Sequence, residues 1–64
     1  MPIIKVEMLT GRSKEQKRAL VRELTKAFVD TAGGKPEGIH IVIQDIEKDN
    51  WSSGGKLYSD KLPD

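Results

Sequence analysis

The chain has 64 residues, of which 33% are charged and 36% hydrophobic, and a formal net charge of +1. One small domain of this length buries little apolar surface and usually needs a disulfide, a metal or a partner subunit to hold it. With no cysteine and one histidine, disulfides, thiolate metal sites and thiol nucleophiles are excluded and a zinc site is not expected; near-neutral charge gives no overall drive toward nucleic acid or anionic membrane.

No stretch approaches the ~20 apolar residues of a membrane span. The expectation is therefore a cytoplasmic protein of one domain over residues 2–64, stapled by oligomerisation. In chain order, Met1-Pro2 comes first. Methionine is ordinarily trimmed ahead of proline, and its loss would leave Pro2 as the N-terminus with a free secondary amine. Such an amine is a base and a nucleophile without help from any side chain. An α-amino group titrates not far above neutrality, so a modest downward shift leaves much of it unprotonated. Taken alone, Pro2 also reads as an ordinary second residue.

Residues 3–9 read as a strand with Ile4, Val6 and Met8 on one face and Ile3, Lys5, Glu7 and Leu9 on the other. Thr10-Gly11-Arg12 is a turn, and Ser13 followed by Gln16 has the form of a capping box, which opens a helix. Leu20, Leu24, Ala27, Phe28 and Thr31, with Val21 beside them, form its core-facing stripe. Gly33-Gly34 stops the helix, because glycine readily adopts the left-handed conformation that ends helices. Lys35–Gly38 is a loop. Residues 39–46 form a second strand dense in β-branched side chains, both of whose faces are apolar enough to be partly covered. Glu47–Asn50 is a polar turn. Gly54-Gly55 shapes a tight hairpin or a close backbone approach, Leu57 and Tyr58 dock a last segment, and Ser59–Asp64 is a loose tail.

Strand, helix, strand predicts a βαβ unit with parallel strands and a right-handed crossover. One helix covers one sheet face. The other face and both edges stay open, and two strands are not stable in water alone. The pattern thus predicts a closed homo-oligomer.

Met1-Pro2-Ile3-Ile4 opening a strand, Leu9-Thr10-Gly11-Arg12-Ser13-Lys14-Glu15-Gln16-Lys17, the strand over 39–46, and Trp51 followed by Gly54-Gly55 resemble the short-chain members of the 4-oxalocrotonate tautomerase family. The resemblance spans roughly positions 2 to 58, and its Gly-Arg-Ser-x-Glu-Gln-Lys stretch behind an N-terminal proline is fairly specific. It implies an α/β (α+β) fold: a single βαβ unit with parallel strands and a C-terminal hairpin, completed by oligomerisation as a dimer or as a hexamer of three dimers. It also implies an enzyme without cofactor or metal, a tautomerase of small unsaturated 2-hydroxy or 2-oxo acids, such as those of aromatic degradation. In that family the N-terminal proline is the general base, arginines hold the substrate carboxylate and an aromatic residue walls the pocket. Carried over, Pro2 is the base, Arg12 the first carboxylate-binding arginine and Trp51 the aromatic. His40 stands where the second arginine belongs. Histidine has no bidentate fork and is not always charged, so it would offer one hydrogen bond in place of a clamp, and a monoacid substrate fits that exchange.

Each residue also has an ordinary reading. Arg12 is equally a solvated arginine in a turn, although its fork suits a carboxylate and the adjacent helix N-terminus favours an anion. His40 is equally a half-buried strand histidine, and Trp51 equally a seal between subunits. Relatives that hydrate or dehalogenate acids need a carboxylate to activate water, for which Asp45, Glu47 and Asp49 are the nearby candidates. A third reading is a non-catalytic oligomeric binding module. Lys14, Arg18, Arg22 and Lys26 would form a basic ridge for an acidic partner. Pairing of Glu15 with Arg18, Glu23 with Lys26 and Lys26 with Asp30, and the lack of interleaved aromatics, make that ridge a solvated face instead. The partners expected are a small-molecule carboxylate and further copies of the chain, with neither nucleic acid nor membrane.

Overall fold

The β-branched, alternating stretches become two strands in the computed structural model, which describes residues 1–62: β1 (Ile3–Leu9) and β2 (His40–Ile46). They pair in parallel, from Ile3 opposite His40 to Leu9 opposite Ile46. The ladder runs on past both ends. The His40 N–H donates to the Pro2 carbonyl at 3.0 Å, and the Thr10 N–H donates to the Ile46 carbonyl at 3.1 Å.

Between the strands lies α1 (Lys14–Ala32). Its start is the capping box that the spacing predicts: the Gln16 N–H donates to Ser13 Oγ at 3.1 Å, and the Ser13 N–H donates to Gln16 Oε1 at 2.8 Å. Two otherwise orphan donors are thereby satisfied. At the far end Gly33 takes φ 86°, which a side chain would resist, and its N–H donates to the Val29 carbonyl at 3.0 Å. A short 3-10 turn, Pro36–Gly38, occupies the expected loop and delivers the chain to β2.

Ile4, Val6 and Met8 of β1 and Ile41 and Ile43 of β2 are half-buried, and Ile39 just ahead of β2 is buried at 9% exposure. Their counterpart on α1 is two rows at i, i+4 spacing, Leu20–Leu24–Phe28 and Val21–Thr25–Val29, all half-buried. The expected stripe needs correcting at Ala27 and Thr31, which are exposed. A sheet of two strands spaced about 4.8 Å apart is too narrow to cover a wider arc of helix. At the start of the helix Lys17 reaches Asp45 and pairs with it.

The opposite face carries Ile3, Lys5 and Glu7 beside His40, Val42 and Gln44, all exposed, with Ile3 at 62% and Val42 at 50%. Within one chain, then, β2 is covered on one face only, not on both. A compact chain of this length has a radius of gyration of roughly 11 Å. This one has 14.9 Å and extents of 42 × 24 × 15 Å. Its accessible surface is 5004 Å², against roughly 4,100 Å² for a compact monomer of its mass. The chain is thus more extended than a compact monomer, with one sheet face uncovered.

Beyond β2 a 3-10 turn (Lys48–Asn50) leads into a hairpin of β3 (Ser52–Ser53) and β4 (Lys56–Leu57). Gly54 and Gly55 form its two-residue loop with φ of 62° and 80°, the doubly positive pattern of a type I′ turn. A helical turn, α2 (Tyr58–Lys61), follows. The Tyr58 ring lies 5.8 Å from Trp51, and its N–H donates to the Trp51 carbonyl at 2.7 Å. Lys48 Nζ donates to the Leu62 carbonyl at 2.9 Å. The expected loose tail is therefore ordered through Leu62, because the ring contact and this hydrogen bond fold it back; positions 63 and 64 lie outside the described residues. Among the described residues no helix is long and apolar enough to cross a membrane.

Candidate active site

Pro2 ends the extended run that starts β1, and its ring is half-buried. With Met1, Phe28, Ala32, Gly33, Gly34, Lys35, Gly38 and Ile39 it lines an open hollow of about 380 Å³. Met1 is bonded to the Pro2 nitrogen and lines the same hollow, so that nitrogen borders it. In the chain with Met1 attached the nitrogen is an amide and carries no basic lone pair. The walls are apolar or backbone apart from Lys35.

His40 lies beside this end of the sheet. Its N–H is bonded to the Pro2 carbonyl, it is in register with Ile3, and its side chain is exposed on the open face. The parallel pairing is what brings the two together: both strands begin at the same end.

The same pairing holds Arg12 and Trp51 away. Arg12 follows the C-terminal end of β1, and six strand steps of ~3.3 Å put that end about 20 Å from Ile3. Its guanidinium donates to the Leu9 carbonyl at 3.3 Å, is otherwise exposed and has no carboxylate partner among the described residues. Trp51 lies past the C-terminal end of β2, half-buried, where it shares a hollow with Glu7, Ile46, Asn50 and Ser52. Of the four residues singled out by sequence, one chain places Pro2 and His40 at one end, with the His40 side chain on the open face and not among the residues lining the Pro2 hollow, and leaves Arg12 and Trp51 at the other.

The acidic candidates sit at that other end too. Asp45 is engaged by Lys17, and Glu47 and Asp49 line a polar hollow with Lys48 and Ser59. None of them stands beside Pro2 within the chain. Among the described residues no three His, Asp or Glu side chains are grouped to hold a metal. On the basic ridge, Arg18 pairs with Glu15 and Lys26 with Asp30 at 2.7 Å. Glu23 lies 3.9 Å from Arg22 and not on Lys26, so that expected pair is corrected: Lys26 is taken by the carboxylate one turn on.

Sequence reasoning passed over two side chains. Lys35, treated as loop, belongs to the Pro2 hollow; the available signal was that a parallel βαβ unit must return its crossover loop to the start of β1. Glu7, placed on the strand face opposite Ile4, Val6 and Met8 and given no role, shares the Trp51 hollow.

Comparison with known proteins agrees with this architecture. Residues 2–61 match the model of the family described as tautomerase enzyme. A probable tautomerase of Halalkalibacterium halodurans is 48% identical over 61 residues, covering 95% of this chain and 100% of that one. The 2-hydroxymuconate tautomerase of Bacillus subtilis is 43% identical over 60 residues, covering 94% and 97%. Among solved structures, a 4-oxalocrotonate tautomerase isozyme from Methylibium petroleiphilum superposes with a TM-score of 0.90 at 33% identity, covering 94% of each chain. A crystal structure of another homologue of 4-oxalocrotonate tautomerase gives 0.88 at 42% identity, covering 92% and 97%.

Proposed function

The chain belongs to the tautomerase family, and from that premise we propose that it is a cofactor-independent tautomerase of a small unsaturated 2-hydroxy or 2-oxo acid, with the amine of Pro2, freed by removal of Met1, as its general base. The amine takes the proton from the enol oxygen. The oxygen's electron pair then forms the carbonyl, the carbon–carbon double bonds shift, and the same proton is returned to carbon. Atoms balance and nothing is oxidised or reduced. The observation that carries the reading is the position of Met1: bonded to the Pro2 nitrogen and lining the hollow, it marks where the amine would open.

In this reading the site is shared. Pro2 comes from one chain, and Arg12, Trp51 and His40, whose side chain does not line the Pro2 hollow of its own chain, come from neighbouring copies in a hexamer of three dimers. Arg12 anchors the substrate carboxylate with its fork, Trp51 excludes water from the reacting bonds, and His40 donates a hydrogen bond to the 2-oxygen. Hydration or dehalogenation has less support, because Asp45, Glu47 and Asp49 sit at the far end of their own chain from Pro2.

The experiment joins intact mass, to establish that Met1 is gone, with ultraviolet assays of ketonisation of 2-hydroxymuconate and phenylenolpyruvate. Trimmed protein is expected to turn over at least one of them, and Pro2→Ala to lower kcat/KM by about 10²-fold or more. A form that keeps Met1 is expected to be inactive. Full turnover by that form would overturn the reading, since its proline nitrogen is an amide.

A further inference from the structure

We infer that Tyr58 is a positioning residue of the site: it fixes the Trp51 indole in one orientation before substrate arrives, and acts on turnover only through that ring. The inference rests on the reading of Trp51 as the apolar wall and adds a residue that the lining of the site does not include.

The hairpin is what pairs the two rings. Gly54 and Gly55 close its loop in two residues and set Ser53 opposite Lys56 and Ser52 opposite Leu57. Trp51 and Tyr58 are therefore the next rung, and the Tyr58 N–H donates to the Trp51 carbonyl at 2.7 Å. Side chains of one antiparallel rung lie on the same face and meet. Here the ring centroids are 5.8 Å apart and the planes tilt by 40°, within the range of attractive aromatic pairs. Both residues are half-buried.

Tyr58 is itself held. Its carbonyl accepts the Leu62 N–H at 2.7 Å, and Lys61 Nζ stands 5.5 Å from the centre of its ring. Lys48, in the turn just ahead of Trp51, donates to the Leu62 carbonyl at 2.9 Å. The turn before the indole and the helical turn that opens with Tyr58 are thus tied together around the ring pair.

Trp51 lines its hollow with Glu7, Ile46, Asn50 and Ser52, whereas Tyr58 does not line it. A molecule in that hollow meets the indole and not the phenol, so Tyr58 reaches it through Trp51. A large side chain that must be ordered on binding costs affinity. A ring already pinned by its neighbour avoids that cost.

The test is a double-mutant cycle on trimmed protein: wild type, Tyr58→Ala, Trp51→Ala and the pair, assayed on 2-hydroxymuconate and phenylenolpyruvate. Tyr58→Ala is expected to lower kcat/KM on the better substrate by about 3–10-fold, the scale of an aromatic pair. It should have no further effect where Trp51 is already alanine. Tyr58→Phe keeps the ring and should leave activity near that of wild type. Tyr58→Leu keeps apolar bulk without the ring; it should behave as Tyr58→Ala, and replaces it in the cycle if that variant does not fold. Trp51 is the one tryptophan of the chain, so its emission reports on the indole directly. Time-resolved anisotropy should show added fast motion of the indole in Tyr58→Ala and Tyr58→Leu and none in Tyr58→Phe, with assembly unchanged in sedimentation velocity. An equal loss on the Trp51→Ala background, an unchanged kcat/KM in Tyr58→Ala, or a loss accompanied by a smaller assembly would overturn the inference. If trimmed wild type turns over neither substrate, the base reading fails and NMR titration with the unreactive acids cis,cis-muconate and sorbate decides on Tyr58 alone. Binding that weakens in Tyr58→Ala and recovers in Tyr58→Phe supports it, and binding that is absent or unaffected overturns it.

Discussion

A guanidinium and an imidazole hold a carboxylate differently, and much of the candidate site turns on that difference. Arg12 offers a planar fork that is always charged, has no competing carboxylate among the described residues, and sits one residue ahead of the N-cap of α1. In the proposed site, removing it would leave the substrate carboxylate without its charge-assisted partners. Arg12→Ala is expected to raise KM by about 10–100-fold in steady-state kinetics, with Arg12→Lys recovering only part, because a point charge does not replace a fork. An unchanged KM would return Arg12 to the status of a solvated turn residue. At this scale the sequence singles out residues that carry a candidate chemistry of their own, such as Pro2 and Arg12. It was silent on Lys35, whose place in the hollow comes from the return of a crossover loop to the start of β1 and not from anything beside it in the chain.

The elements follow local rules closely, which makes their energetics open to test one at a time. The reciprocal bonds of Ser13 and Gln16 satisfy two N–H groups at the start of α1. Ser13→Ala removes one of them and is expected to cost about 1 kcal/mol, measured as a lowered midpoint in urea with an unchanged slope. Ser13→Asp, which keeps an acceptor, should cost little. Spacing alone gave this cap, the glycine stop and the Gly54-Gly55 hairpin, since each is set within a few residues. Which helical positions would be covered was less legible: Ala27 and Thr31 fit the period, but the narrow sheet does not reach them. The ordered turn at Tyr58–Lys61 escaped as well, because it is held by a ring contact with Trp51 and by Lys48, and composition does not reveal such partners.

As a whole, the molecule is elongated, with one open sheet face bearing Ile3 and Val42 and unpaired edges on both strands. The composition pointed to this outcome, since a short chain without cysteine has few other ways to bury enough surface. Stability should then depend on concentration, because assembly binds the folded chain and not the unfolded one. Val42→Asp places a charge in the middle of the open face. It is expected to shift the protein to smaller species in sedimentation velocity, to make the unfolding midpoint fall on dilution, and to abolish turnover while Pro2 and Arg12 remain intact. An unaltered assembly would mean that this face stays in solvent in the oligomer.

The parallel register of β1 and β2 has one more consequence, and it concerns inheritance. In the shared-site reading proposed above, with Pro2 at one end of the chain and Arg12 and Trp51 at the other, no single copy of the gene would have to encode a whole pocket in one folded unit. After duplication, one copy could then lose its proline and the other its arginine, and mixed assemblies of the two would still hold intact pockets where the surviving halves meet. Each gene then depends on the other for its retention. The fold thus gives this small chain a direct route from a homo-oligomer to an obligate partnership of two diverged chains.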